Sequence, residues 1–262
     1  MIIFLNLKLI NKFIIIIYFL MDSHFIECVQ KTLTLDIEKE CISYLISKGL
    51  SIGIVLFSFT SKLPQILYML KEKNIEGLND ISIFSDILVF LCSCLYSFHM
   101  QYPFLSYGES VIILIENIII LFLFWKYQVD QDGDRRNLLF TSLISVFTYF
   151  CLKGDFFNET IWYLIYSSTL PLTSISRITQ LYSSYKAKST GPLSAFTFLV
   201  NMLGNLARIF TSIKETGDSI LILSFAYSFL LNLAVFIQII YYNKFYKVNK
   251  EESENIEMKK KN

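Results

Sequence analysis

From residue 42 onward the chain alternates long apolar runs with short polar breaks. The runs fall at 42–59, 81–99, 109–126, 138–152, 160–182, 194–213 and 219–242. Each is close to the ~20 residues a tilted helix needs to cross the hydrocarbon core, with 138–152 the shortest. The breaks hold turn and charge signals: Lys71-Glu72-Lys73-Asn74, Pro103, Asp130 to Arg136, Lys153-Gly154-Asp155, Gly191-Pro192 and Gly217-Asp218. This pattern predicts seven membrane-spanning helices. A further apolar run, Ile2 to Leu20, precedes the polar stretch 22–40. It reads as a signal sequence, an extra span or a consequence of start-site choice, since Met21 opens a plausible shorter protein.

Composition agrees with the pattern. Mean hydropathy is +0.51, 54% of residues are hydrophobic and 17% are charged, whereas soluble domains carry about a quarter charged residues. A polytopic membrane protein follows, and seven spans leave little room for a separate soluble domain. Charge placement orients the spans. Loops after the odd-numbered spans, with the C-terminal tail, hold Lys71, Lys73, Lys126, Arg135, Arg136, Lys186, Lys188, Lys244, Lys247 and Lys250. The opposite loops hold little beyond Lys153 and Lys214. By the positive-inside rule the C-terminus is cytosolic, and residues 22–40 and the loops at 153–159 and 214–218 lie on the lumenal or exterior side. The five cysteines, Cys28, Cys41, Cys92, Cys94 and Cys151, show neither metal nor disulfide spacing.

An internal repeat carries more information. Ser61-Lys62-Leu63-Pro64-Gln65-Ile66 aligns with Ser176-Arg177-Ile178-Thr179-Gln180-Leu181 at an offset of 115 residues, which also brings Lys71 onto Lys186 and Lys73 onto Lys188. Both copies open a cytosolic loop, so the two halves share one orientation. Span 4 inverts between them. The predicted fold is an all-α seven-span bundle, two parallel three-helix repeats joined by a linker helix, with the working site between the halves. The segments are a 1–40 extension, a first repeat at 41–127, loop and linker helix at 128–159, a second repeat at 160–243, and a polar tail at 244–262.

Leu63-Pro64-Gln65 resembles the PQ-loop motif, and Thr179-Gln180 a degenerate second copy; the second Pro-Gln is absent, so symmetric hinges are not expected. Pro64 lacks an amide hydrogen and can kink a span, while Gln65 can satisfy freed backbone groups. Longer strings are similar to the mannose-P-dolichol utilization defect 1 family: Ser47-Lys48-Gly49-Leu50 leading to Lys62-Leu63-Pro64-Gln65, Pro103-Phe104 with Tyr107-Gly108-Glu109, and Thr190-Gly191-Pro192-Leu193-Ser194-Ala195 followed by Leu206 through Asp218. The resemblance covers roughly 41–245. It implies a SWEET-like fold and an endoplasmic-reticulum membrane protein. It also implies a need for the protein when dolichol-phosphate mannose and dolichol-phosphate glucose serve as lumenal sugar donors, for N-glycosylation and for glycosylphosphatidylinositol anchors. Dolichol-phosphate sugars or another membrane lipid would be the partner, with lumenal glycosyltransferases as further candidates. The alternative is a PQ-loop transporter of a small solute such as a sugar or amino acid.

Polar residues inside apolar spans are the candidate site groups, because burying them in lipid is costly. Asn201, Asn205 and Arg208 share one face of span 6, suiting a phosphodiester or serving as helix glue. On span 3, Glu109 and Glu116 share a face with Asn117 beside them; Glu116 is expected to pair with Arg208 or Lys48. Asp86 and Tyr96 on span 2 are weaker candidates, and Gly217-Asp218 is expected to form a turn and cap. Neither His24 nor His99 has a nucleophile or carboxylate at a telling spacing. The sequence carries no metal cluster, phosphate-cradling loop or nucleic-acid patch, so no enzyme, cofactor or nucleic-acid role is expected. The terminal Lys259-Lys260-Lys261-Asn262 places Lys259 and Lys260 where a dilysine retrieval signal to the endoplasmic reticulum has its lysines.

Overall fold

A computed structural model describes residues 27–28, 30–31, 39–73, 75, 80–128, 131–153, 157–187 and 195–242, without the side chains at 80, 131–136, 176, 179–180, 183, 187 and 195–197. The first apolar run, the Thr190–Ser194 part of the family-like string, the retrieval lysines Lys259 and Lys260, and the side chains of Thr179 and Gln180 lie outside that description.

Two spans are broken, each near a proline, and the first runs past its predicted end at 59 into the stretch expected to open a cytosolic loop. The first span is α1 (Lys39–Ser58) followed by α2 (Leu63–Glu72). Pro64 occupies the first turn of α2, where its missing amide hydrogen would have had no helical partner anyway. The fifth span is α6 (Glu159–Ser167) followed by α7 (Thr169–Ala187). There Pro171 excludes the helical bond to the Ser167 carbonyl and crowds it. Sequence reading expected one continuous fifth span with its special position at Thr179-Gln180. In fact α7 runs unbroken through Thr179 and Gln180, and the break sits near Ser168. The remaining spans are α3 (Asp80–His99), α4 (Phe104–Tyr127), α5 (Gln131–Lys153), α8 (Ala195–Glu215) and α9 (Ser219–Ile240). Residues 131–136, read from the sequence as loop, form the start of α5.

Every element among the described residues is a helix. Lys39–Glu72, Ile81–His99, Phe104–Tyr127 and Ser219–Ile240 are long and apolar enough to cross a membrane, and Asn137–Lys153 is a shorter apolar helix. The chain is a seven-span bundle of two parallel three-helix repeats with α5 as linker. Within each half the third span sits between the other two: α4 packs on α1, α2 and α3, and α9 packs on α6, α7 and α8. The halves meet crosswise, α1 and α4 against α8, and α3 against α6 and α7, with α5 resting on α3.

Short connections put the start of α1, the α3–α4 turn and the α8–α9 turn at one end, called here the Asp218 end; Pro64 lies toward the other. Asn158 caps α6, its Oδ1 accepting from the Ile161 amide at 3.1 Å, and Asp218 caps α9, accepting from the Ile220 amide at 2.8 Å. The α8–α9 turn depends on Gly217, at φ +64°, whose amide donates to the Ser212 carbonyl at 2.8 Å.

The cores differ between the two ends. Toward the Pro64 end each half has its own: Ile66, Met69, Phe84, Ile120 and Phe124 in the first, Phe198, Val235 and Ile239 in the second. Toward the Asp218 end one cluster joins both halves, Leu95 and Tyr96 of α3 packing with Cys151 of α5, Trp162 and Tyr166 of α6 and Leu221 of α9.

Cys28 and Cys41 form a disulfide, correcting the expectation of unpaired cysteines. Spacing alone does not show a pair whose ends are brought together by the start of a helix. Cys92, Cys94 and Cys151 are free thiols. Digestion under non-reducing conditions should yield a linked Cys28–Cys41 peptide. Cys28→Ser should lower stability by about 3 kcal/mol, the chain-entropy value for a loop of that size; a thermal midpoint unchanged by the substitution would contradict the pairing.

Candidate functional site

The polar side chains that join the halves converge on the Asp218 end. Glu215, in the last turn of α8, accepts three hydroxyl bonds from the other half: Ser51 at 2.7 Å, Ser47 at 3.2 Å and Ser106 at 3.0 Å. Ser47 and Ser51 are four apart on α1 and so share a face. One carboxylate thereby ties α1 and α4 to α8. Beyond capping α9, Asp218 accepts from Tyr102 at 2.7 Å and from Tyr96. Burial first, and then the bond to Asp218, push the Tyr102 phenol above its ordinary range, so it remains a donor at any physiological pH. Aromatic contacts extend this seam: Tyr96 lies 4.8 Å from Tyr166 between ring centroids, and His99 stacks on Trp162 at 4.3 Å.

Two turns deeper, Arg208 reaches across the same boundary. Its Nε donates to Glu109 Oε2 at 2.7 Å, its Nη2 lies 2.6 Å from the same oxygen, and its Nη1 donates to the Leu105 carbonyl at 3.2 Å. The guanidinium is buried while the Glu109 side chain is one-third exposed, at 33%. This corrects the expected Arg208–Glu116 pair. Glu116 instead accepts the backbone amide of Lys62 at 3.2 Å, and Lys62 Nζ binds Asp86 at 2.8 Å. Lys48 does not pair with Glu116 either; it is buried with its ammonium 5.4 Å from the Tyr44 ring centroid. Sequence periodicity put Glu109 and Glu116 on one face of α4, but the two stand two turns apart and serve opposite ends of the half.

Among the other expected site residues, Asn201 and Asn205 are half-buried on α8, on the helix that faces α1 and α4. Gln65 is half-buried and Pro64 exposed in the first turn of α2. Tyr96, a weak expectation, is fully buried and central to the seam. Glu215 falls within the stretch 214–218 that the sequence assigns to a loop, and its hydroxyl partners lie more than 100 positions away in sequence.

Two buried amides occupy equivalent places in the repeats. Asn117 on α4 and Asn232 on α9 stand 115 residues apart, the repeat offset, each on the central span of its half. They are 2% and 5% exposed. Among the described residues, Asn117 Nδ2 and Asn232 Oδ1 have no hydrogen-bond partner, although Asn232 Nδ2 donates to the Ser228 carbonyl at 2.8 Å. One half thus presents an unused donor and the other an unused acceptor. The offset alone could have flagged both.

Two crosswise-packed halves, joined at one end by a shared core, define a repeat-built membrane-spanning fold. The PQ-loop repeat family matches residues 46–106 and 161–221. Two stretches of this membrane protein are thus similar to the PQ-loop repeat, and the matches stand 115 residues apart at both their starts and their ends. Human solute carrier family 66 member 3 is 25% identical over 183 residues, 70% of this chain and 87% of that protein. A eukaryotic SWEET transporter solved at 3.7 Å superposes with a TM-score of 0.67 at 12% identity, covering 77% of this chain and 99% of that one. At that identity the likeness speaks for the fold.

Proposed function

We propose that this protein is an alternating-access carrier of a polar, hydroxyl-bearing solute, held here in a state sealed at the Asp218 end. The observation that carries the reading is the difference between the two ends. A shared core and the Glu215, Asp218 and Arg208 contacts bind the halves at one end, while each half keeps a separate core at the other. Halves joined this way can rock about the space between them. Asn117 and Asn232 supply a donor and an acceptor suited to a hydroxyl-rich cargo. The names of the relatives, a solute carrier and a SWEET transporter, favour transport over catalysis.

A second reading narrows the cargo to the sugar head of dolichol-phosphate mannose or glucose, presented or moved across the endoplasmic-reticulum membrane. The strings around Thr190–Asp218 that resemble the mannose-P-dolichol utilization defect 1 family favour it. A lumenal Asp218 end and a cytosolic C-terminus accompany this reading. The Cys28–Cys41 disulfide supports that sidedness, since disulfides persist on the oxidising side of a membrane, and so does the Lys/Arg bias.

Reconstitution in liposomes tests both readings. Radiolabelled glucose and mannose should enter protein-containing vesicles faster than empty ones, with saturation, if the cargo is a free sugar. A fluorescent short-chain dolichol-phosphate mannose should change leaflet if the cargo is lipid-linked. Movement of none of these probes would overturn the carrier reading for hydroxylated solutes.

A further inference from the structure

The break in the first span is braced by the other two spans of its half. Thr60 and Ser61 close α1, donating to the Phe57 and Ser58 carbonyls at 3.0 Å each. The chain then restarts at Leu63. A restarting helix leaves its first amides without helical partners, and Lys62, at the N-cap, has no side-chain oxygen to offer them. Pro64 removes one such amide. Glu116, 54 residues away on α4 and 7% exposed, takes the Lys62 amide at 3.2 Å. Its carboxylate lies at the positive end of the α2 dipole. The Lys62 side chain reaches the second span of the half, binding Asp86 of α3. The second half has no counterpart: position 231, 115 residues on from Glu116, is leucine, and α7 is continuous where α2 restarts.

We propose that Glu116 is a positioning residue that fixes the angle between α1 and α2, so that α2 moves with the first half as one body and the Pro64 end of that half opens and closes without local unwinding. The asymmetry makes the first half the braced partner and the second half the one that bends at Ser168, near the Asp218-end cluster. The inference deepens the carrier reading and rests on it only for its kinetic consequence.

Hydrogen exchange followed by mass spectrometry reads the brace directly and needs no cargo. Glu116→Leu removes the acceptor, and amides in 59–66 should exchange about tenfold faster or more, the loss of one hydrogen bond to a charged group. Exchange in α9 should stay at the wild-type rate. Glu116→Gln keeps an oxygen that can accept and should stay within about threefold of wild type. If Glu116→Leu does not fold, Glu116→Asp retracts the carboxylate by one methylene and should raise exchange in the same segment. Unchanged exchange at 59–66, or a rise spread evenly over α3, α4 and α9, would overturn the proposal. In vesicles that transport any of the probes above, Glu116→Leu should lower the maximal rate with KM unchanged. Vesicles that transport nothing would count against the carrier reading while leaving the exchange result standing.

Discussion

Glu215→Ala is expected to unseal the Asp218 end without unfolding the protein. The carboxylate gathers three hydroxyls from two spans of the opposite half. At about 1 kcal/mol for each bond, the closed state loses roughly 3 kcal/mol relative to the open one. That corresponds to a shift on the order of a hundredfold in their ratio. Overall stability should change less, because serines within helices can turn back to their own preceding carbonyls. With the free Cys92, Cys94 and Cys151 replaced, an Asn205→Cys probe on α8 should react with a membrane-impermeant thiol reagent at least about tenfold faster when Glu215→Ala is present. The reagent is added from the Asp218 side. Transport should fall with it, since a carrier that no longer closes one end no longer completes a cycle. Glu215→Gln, which keeps one accepting oxygen, should fall between.

Arg208→Gln carries the second large effect, and the effect lies on folding. Three contacts are lost, two to Glu109 and one to the Leu105 carbonyl, and a carboxylate stays behind without its cation. Breaking a fully buried pair costs about 3–5 kcal/mol. With Glu109 one-third exposed to solvent, about 2 kcal/mol is the better expectation, because part of the charge stays hydrated. Abundance and thermal midpoint should both drop. Adding Glu109→Gln should recover much of the loss, whereas adding Glu116→Gln should not. Arg208→Lys should be intermediate, since a single ammonium does not reproduce the two-nitrogen contact and the carbonyl bond together. Arg208→Gln at wild-type abundance and midpoint would remove the residue from the seam.

Much of the fold was legible in the sequence. Apolar runs set the spans, and the offset joining Pro64-Gln65 to Thr179-Gln180 set the repeat and its parallel sense. What escaped was partner choice across long separations. Periodicity showed that Asn201, Asn205 and Arg208 share a face and that Glu109 and Glu116 share another, but nothing local distinguishes which carboxylate meets the arginine. Glu215 and Asp218 sit in a stretch rich in turn signals, and the capping role of Asp218 concealed the larger one: each also receives hydroxyls from the other half. The break in the fifth span lies at Ser168, beside Pro171 and about three helical turns before the Thr179-Gln180 motif. Asn117 and Asn232 were within reach, because the offset that aligned the prolyl motif relates them too.

If the halves rock, one end opens as the other closes. Spin labels at Gln101 and Lys214, both exposed at the Asp218 end on opposite halves, report that end. Labels at Lys71 and Tyr185, exposed on opposite halves toward the Pro64 end, report the other. Pulsed electron–electron distance measurements in nanodiscs, on a background keeping Cys28–Cys41 but lacking the free cysteines, compare the wild type with Glu215→Ala. With rocking halves, the Gln101–Lys214 distance should lengthen in the variant while the Lys71–Tyr185 distance shortens. Distances that stay fixed at both ends, or that lengthen together, would contradict it.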